Sequence, residues 1–375
     1  MIIAHLGPSV LPVRFQFGGA IQRRILELAR NQAALGHTVT VYSAAGHAGV
    51  EFWHGVQIKN IECRRRLLFF RDLEYLENAA RILERETTDV LHFHSLPEAS
   101  LILGKIRAKK VLSYDHFVFR RGKKNPLFWL YRKALQEFDH LLPVSKYCRR
   151  ESLAYWNLQS VPTSVVHNGV NLEQFFPDAA SESKGRQAHG LDGARVILYV
   201  GRVCRQKGTD VLIESYRLLK RRISNLALVV AGPAERFENG APSELTQEVA
   251  AAGGLYLGAV PEEDLARIYN MADVFVMPTR ELEMFGMAAV EGQACGKPVV
   301  ASHHGGLLEV VSEASGLFFP VGDSAALAEK LELLLTNGVI LRSKSQAARE
   351  NVQRFEWSRI ARQLEEIYAA PRSTD

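Results

Sequence analysis

Cysteine is scarce and scattered. Cys63, Cys148, Cys204 and Cys295 are four in 375 residues, with no Cys-x-x-Cys and no paired histidine spacing around them. Neither a disulfide framework nor a zinc site is indicated, and a reducing cytoplasm suits such a chain. Nowhere do 18 apolar residues run together, and the opening stretch Met1 to Gly7 lacks a basic segment leading into a long apolar one. The sequence therefore predicts neither a membrane-spanning helix nor a signal peptide. There is no Asp-x-Asp, so a divalent cation lacks its usual carboxylate holder. A G-x-x-x-x-G-K-[ST] phosphate loop, a G-x-G-x-x-G after the first apolar run, a repeat of 20 to 50 residues and a low-complexity tract are missing as well.

What is present is ordinary in composition and uneven in charge. With 47% hydrophobic and 23% charged residues the chain is neither disordered nor a membrane bundle, and its length favours two domains. Residues 1–177 carry 24 Lys and Arg against 15 Asp and Glu, net +9; residues 178–375 carry 22 against 26, net −4. An anionic partner is thus expected to meet the first half.

Short runs rich in Val, Ile and Leu alternate with helical patterns. This is the signature of strands buried on both faces of a parallel sheet. In the first half the runs are Ile2 to Leu6, Thr38 to Ser43, Val56 to Ile61, Val90 to His94, Lys110 to Asp115, His140 to Ser145 and Ser164 to His167. In the second half they are Val196 to Val200, Leu226 to Ala231, Leu255 to Leu257, Val274 to Met277, Pro298 to Ser302 and Leu317 to Pro320. Two doubly wound Rossmann-like α/β domains follow, with ligands expected in the cleft between them. The small and polar stretch Phe176 to Arg186 reads as a linker. Helices are expected over Ala20 to Leu35, Ala325 to Leu335 and Trp357 to Tyr368.

Several strand-to-helix loops carry candidate chemistry. Gly201 to Gly208 offers two glycines, the amides of a helix starting near Thr209, and the cations Arg202 and Lys207, an outline of a diphosphate site. Lys207 is expected to have no buried partner. In Glu283 to Glu291 two carboxylates bracket Phe285-Gly286 and Met287 at the mouth of a helix, where each can accept hydrogen bonds from vicinal hydroxyls of one polyol ligand; Glu281 stands nearby as a decoy. His303-His304-Gly305-Gly306 makes another glycine-rich turn at the carboxyl edge, and adjacent histidines on extended backbone point apart, against a metal pair. His116 follows a strand and can orient a hydroxyl or share a proton. Two mixed basic and apolar patches, Phe117 to Lys133 and Arg64 to Arg71, suit an anionic bilayer or a phosphorylated acceptor; neither sits in a nucleic-acid motif.

In order and spacing these elements resemble a retaining glycosyltransferase of family 4, with the two-domain glycosyltransferase-B fold. The resemblance runs from Gly18-Gly19 and Ala34 to Val41 through Pro143 to Ser145, His167 to Phe175, Gly201-Arg202 with Lys207-Gly208, Leu257-Gly258 and Ala272 to Pro278. It ends with the Glu283/Glu291 segment, Gly296 to Ala301 and Gly305-Gly306. It implies an acceptor domain of residues 1–175 plus a returning helix, 357–375, and a nucleotide-sugar domain of residues 176–356. Arg202 and Lys207 would then hold the diphosphate and Glu291 the ribose, while Glu283 with the amides of Phe285, Gly286 and Met287 would hold the transferred sugar. Gly18 and Gly19 would close over the phosphates, His116 would approach sugar and acceptor, and the backbone of Gly258 to Val260 would select the base. The implied donor is a nucleoside diphosphate sugar, commonly UDP-linked, used without a metal. The acceptor would be a sugar, a lipid-linked species or a small molecule, with cytoplasmic or peripheral inner-membrane location and no nucleic-acid partner. Asn171 replaces the usual Asp of the Asn-Gly-Val-Asp run, a turn taken as structural. The competing readings are a nucleotide-sugar epimerase on the same fold and a non-catalytic basic binding module.

Overall fold

The computed structural model describes residues 1–13, 19–64, 68–114, 127–234, 244–281 and 283–371. Two compact units divide the chain: Met1–Gly169 together with Trp357–Asp375, and Val170–Glu356. In the first unit, strands β1 (Ile2–Leu6), β2 (Thr38–Ala45), β3 (Gly49–Trp53), β4 (Val56–Glu62), β5 (Val90–His94), β6 (Lys109–Tyr114) and β7 (His140–Pro143) form one sheet in the order β3-β4-β2-β1-β5-β6-β7. All neighbours are parallel except β3, which pairs antiparallel with β4. Helices α1 (Ala20–Ala34), α2 (Leu68–Leu83), α3 (Ala99–Leu103), α4 (Leu127–Gln136) and α5 (Lys146–Trp156) connect them. Burial follows position: the interior strands β5 and β6 are buried throughout, whereas the edge strand β3 is almost wholly exposed, Phe52 included. Helix α5 starts where the Ser145 hydroxyl accepts from the Cys148 amide, and stops at Asn157 in the left-handed region.

The second unit is a six-stranded, wholly parallel sheet of β8 (Arg195–Val200), β9 (Leu226–Ala231), β10 (Leu255–Gly258), β11 (Val274–Met277), β12 (Val299–Ser302) and β13 (Gly316–Phe319), ordered β10-β9-β8-β11-β12-β13. Its helices are α6 (Ala179–Ala188), α7 (Thr209–Lys220), α8 (Glu244–Ala251), α9 (Glu262–Asn270), α10 (Met287–Ala294), α11 (Leu307–Val310), α12 (Ser324–Thr336) and α13 (Gly338–Val352). One face of the sheet buries Ile197, Tyr199, Leu228 and Val276 with Leu212, Tyr216 and Leu331 of α7 and α12. The segment expected as a linker is α6: Asp178 Oδ1 accepts from the amides of Ala180 and Ser181, which starts a helix that small polar residues alone do not signal. Residues 164–167 form no strand; only Thr163 makes a bridge, to Leu141.

The last helix, α14 (Trp357–Ala369), belongs to the first unit. A Cβ on Gly169 would lie 2.4 Å from the Trp357 ring, so only glycine permits that packing. Lys109 Nζ donates to the carbonyls of Ile367 at 2.5 Å and Ala370 at 2.6 Å, satisfying acceptors that the helix end leaves open. Asn171 accepts from the amides of Glu173 and Gln174 through Oδ1, a turn that Asn makes as well as Asp. All four cysteines are free and buried. No helix among the described residues is long and apolar enough to cross a membrane.

Beneath α14 lies a wholly buried polar network. His5 Nε2 donates to Gln32 Oε1 at 2.7 Å, which leaves His5 Nδ1 to accept from His94 Nε2 at 3.0 Å. His92 is bound to the Tyr368 hydroxyl at 2.5 Å and to Ser113 Oγ at 2.6 Å, and Arg24 donates to the same Ser113 oxygen at 3.0 Å. The three rings offer nitrogens within 4.8 Å of one another, but the adjacent guanidinium opposes a cation, and hydrogen bonds already occupy the nitrogens of His5 and His92. Burial, aided by Arg24, depresses all three basicities: His5 to about 4, His92 and His94 well below the ordinary value. The sign follows from linkage. Below about pH 6.5 the unfolded chain takes up protons that the folded cluster refuses, so stability is full at neutral pH and falls on acidification by up to about 1.4 kcal/mol per histidine per pH unit. Urea unfolding between pH 7.5 and 5 should show that loss, and His94→Asn should flatten its slope by about a third.

Candidate active site

In the second unit the strand order reverses about β8: the chain passes from β8 to β9 on one side, while β11 lies on the other. Loops leaving the carboxyl ends of such neighbouring strands form the crevice in which open α/β sheets bind ligands. Here those loops are Gly201–Gly208 after β8 and residues 278–286 after β11, joined by the His303–Gly306 turn after β12.

Their closeness depends on missing side chains. Gly208, at φ +73°, ends the 3-10 turn Arg205–Lys207 and begins α7; a Cβ there would stand 1.8 Å from the Pro278 carbonyl oxygen. A Cβ on Gly305 would meet the Glu283 carbonyl oxygen at 2.5 Å, and one on Gly306 the Met284 carbonyl oxygen at 2.2 Å. Bonds use the approach. The amides of Arg280 and Glu281 donate to the Gln206 carbonyl at 3.0 and 3.3 Å, and the Gly306 amide donates to the Glu283 carbonyl at 2.7 Å. Side chains add a second clasp, since Arg280 pairs with Asp210 of α7 at 2.7 Å and Arg205 reaches the same carboxylate at 3.5 Å.

Within this frame Lys207 Nζ donates to Glu283 Oε2 at 2.6 Å, the two side chains being 27% and 14% exposed. The lysine therefore has a partly buried partner, where none was expected: the Gln206–Arg280 backbone bonds bring together two residues 76 positions apart. Arg202 is exposed, and its carbonyl accepts from the Tyr199 hydroxyl at 2.7 Å. Gly286, at φ +103°, caps α10, of which Met287 is the first residue, while the Phe285 ring is buried against Phe355. Phe285 thus offers a site its backbone rather than its side chain. Glu291, in the second turn of α10, is buried and accepts from the Tyr269 hydroxyl at 2.8 Å. Gly258 ends β10 at φ +70° with open space around it, its carbonyl accepting from Gly232 at 2.7 Å, and Val260 is half-buried just beyond.

The other expected positions are as follows. Glu281 is exposed, with its amide on Gln206. Gly19 is an exposed residue before α1 in the first unit; Gly18, His116 and Arg120 to Lys124 lie outside the described residues. Of the Arg64 to Arg71 patch, Arg64 pairs with Glu62 at 3.0 Å, which cancels part of its charge. The sequence reading missed Asp210, Arg280 and Tyr269. Tyr269 reaches Glu291, and Arg280 with Asp210 joins the loops that carry Glu283 and Lys207; these pairings arise only through the fold, and no local spacing marks them.

Comparison with known proteins bears on the family and the fold. The Glycosyltransferase Family 4 profile matches residues 17–174 and the Glycosyl transferases group 1 profile residues 181–355. The chain is 36% identical over 217 residues, 55% of its length, to D-inositol 3-phosphate glycosyltransferase of Corynebacterium urealyticum, and the match spans about half, 50%, of that relative. In structure it resembles sucrose-phosphate synthase of Thermosynechococcus elongatus, with a TM-score of 0.82, 22% identity and 98% of both chains covered. It also resembles Anabaena HepE in complex with UDP and glucose, with a TM-score of 0.78, 18% identity and 99% and 100% covered. The fold is that of the glycosyltransferase-B class. The chain belongs to glycosyltransferase family 4.

The glycine contacts predict unequal costs for the same substitution. Gly258→Ala, strained in backbone but free of clashes, should cost about 1 kcal/mol, whereas Gly208→Ala should cost about 3 kcal/mol or more because the Pro278 carbonyl must move. Urea denaturation of the two variants checks the difference.

Proposed function

We propose that the protein is a retaining, metal-independent glycosyltransferase that moves a hexose or N-acetylhexosamine from a nucleoside diphosphate sugar, UDP-linked, to an acceptor hydroxyl. The observation that carries this reading is the Lys207–Glu283 contact at the carboxyl edge of the second sheet, which sets a cation and a polyol-binding carboxylate side by side. Lys207, the exposed Arg202 and the amides at the start of α7 and α10 answer the negative charge that grows on a departing diphosphate. Glu283 accepts hydroxyls of the transferred sugar and Glu291 those of the ribose. UDP and glucose bound to a protein of the same fold support the donor class. The sequence has no Asp-x-Asp, and the cations supply the charge that a metal would otherwise bring. Retention is what the family resemblance implies, and with no side chain among these as covalent nucleophile it requires attack from the leaving-group face with a diphosphate oxygen as base.

The acceptor belongs to the basic first half. A phosphorylated or lipid-linked acceptor fits that charge, and the names D-inositol 3-phosphate glycosyltransferase and sucrose-phosphate synthase are in keeping with the former. His116 and Gly18-Gly19 take their roles from the family resemblance. The four free, buried thiols fit a reducing cytoplasm. Peripheral contact with the inner membrane has its own support in α4, where Trp129 is 64% exposed, Leu130 is also exposed, and Arg132, Lys133 and the basic run 120–124 are close in sequence.

Glu283→Ala should lower turnover about 100-fold or more while the protein stays folded, and Lys207→Ala should weaken donor binding by calorimetry. NMR of the product should show the donor's anomeric configuration; an inverted linkage removes the retaining assignment. Incubation with donor alone separates the epimerase reading, since an epimerase yields a second sugar nucleotide and a transferase at most slow hydrolysis. Replacing the basic residues between Arg120 and Lys124 should reduce association with anionic liposomes or activity on an anionic acceptor, and no change in either favours a solvated face.

A further inference from the structure

The free site is already satisfied by itself. Lys207 and Glu283 neutralise one another at 2.6 Å in a partly buried position, although the proposed reaction gives them different ligands. Their backbones cannot part easily. The Gln206 carbonyl holds the amides of Arg280 and Glu281, the Arg280 guanidinium sits on Asp210, and the Glu283 carbonyl is held by Gly306. Opening the pair is therefore left to the side chains, of which that of Lys207 is the longer and the more exposed, 27% against 14%.

From this geometry we propose that the Lys207–Glu283 ion pair makes the site select a sugar-bearing donor over the bare nucleoside diphosphate, and drives the latter out after transfer. The inference rests on the roles given above to Lys207 and Glu283. A bare nucleoside diphosphate draws Lys207 onto its phosphates and leaves Glu283 without its cation, only 14% exposed and next to a new anion. An ionised group stranded in that way is costly. A complete donor makes the same demand on Lys207, but its sugar hydroxyls donate to the carboxylate and restore what the lysine withdrew. After the sugar has left, the pair re-forms and competes with the phosphates for the lysine. The carboxylate thus weakens the product complex more than the donor complex, a difference in binding that assists turnover.

Calorimetric titration of wild type and Glu283→Gln with UDP, GDP and ADP, and with the glucose donors UDP-glucose, GDP-glucose and ADP-glucose, tests this. For the base that wild type accepts, Glu283→Gln should bind the bare diphosphate about tenfold more tightly, with its glucose donor unchanged or weaker. Glu283→Ala, which also lacks the charge, should show the same gain and guards against a folding artefact in the glutamine variant. An unchanged or weaker affinity of both variants for the bare diphosphate overturns the inference, and so does an equal gain for diphosphate and donor, which marks general repulsion. If wild type binds none of the six ligands, the functional reading itself fails; if it binds and the variants do not tighten, only this inference does.

Discussion

One carbonyl group organises the site. The oxygen of Gln206 accepts two amides from the loop after β11 and so fixes the segment that carries Glu283 against the turn that carries Lys207. Everything chemical about the crevice follows from that distance: the ion pair, the Asp210–Arg280 clasp beside it, and the positions of the amides of α7 and α10. The approach is possible because Gly208, Gly305 and Gly306 leave room for backbone where any side chain would collide. Glycines at such loops are usually credited with freedom of φ. For Gly306, at least, close approach is the stronger reason, since its φ is an ordinary −65°.

Much of this architecture is written in local pattern. Parallel strands buried on both faces appear as uninterrupted Val, Ile and Leu runs, and nearly all of the expected ones are present within a residue or two. The failures share a cause. Strand β3 is an exposed edge with neither a buried run nor clean alternation, so its sequence carries no strand signal. In the run 164–167 only Val166 is buried, and only the neighbouring Thr163 makes a bridge. Helix α6 owes its start to one capping aspartate and its body to residues equally at home in a coil.

The candidate site is legible in the same partial way. Lys207, Glu283 and Glu291 announce themselves by residue type at strand-to-helix loops, because those loops carry chemistry in open α/β sheets. What remained hidden was their company. Nothing in the primary structure says that Lys207 leans on Glu283, that Tyr269 holds Glu291, or that Arg280 closes over Asp210, because each pairing joins loops from different strands. Sequence names the actors well when they act alone, and poorly when they act through one another.

The return of α14 to the first unit has a consequence for how the molecule comes into being. Residues 170–356 are continuous, so the second unit can complete its core as soon as it clears the ribosome. The first unit, although made earlier, must wait for the C-terminal residues: until Tyr368 and Gln32 meet beside His92, and Lys109 finds the end of the last helix, its central polar cluster faces a gap. Birth order and order of completion are therefore opposed, because residues 1–169 stay unfinished until the helix that begins at Trp357 has been made.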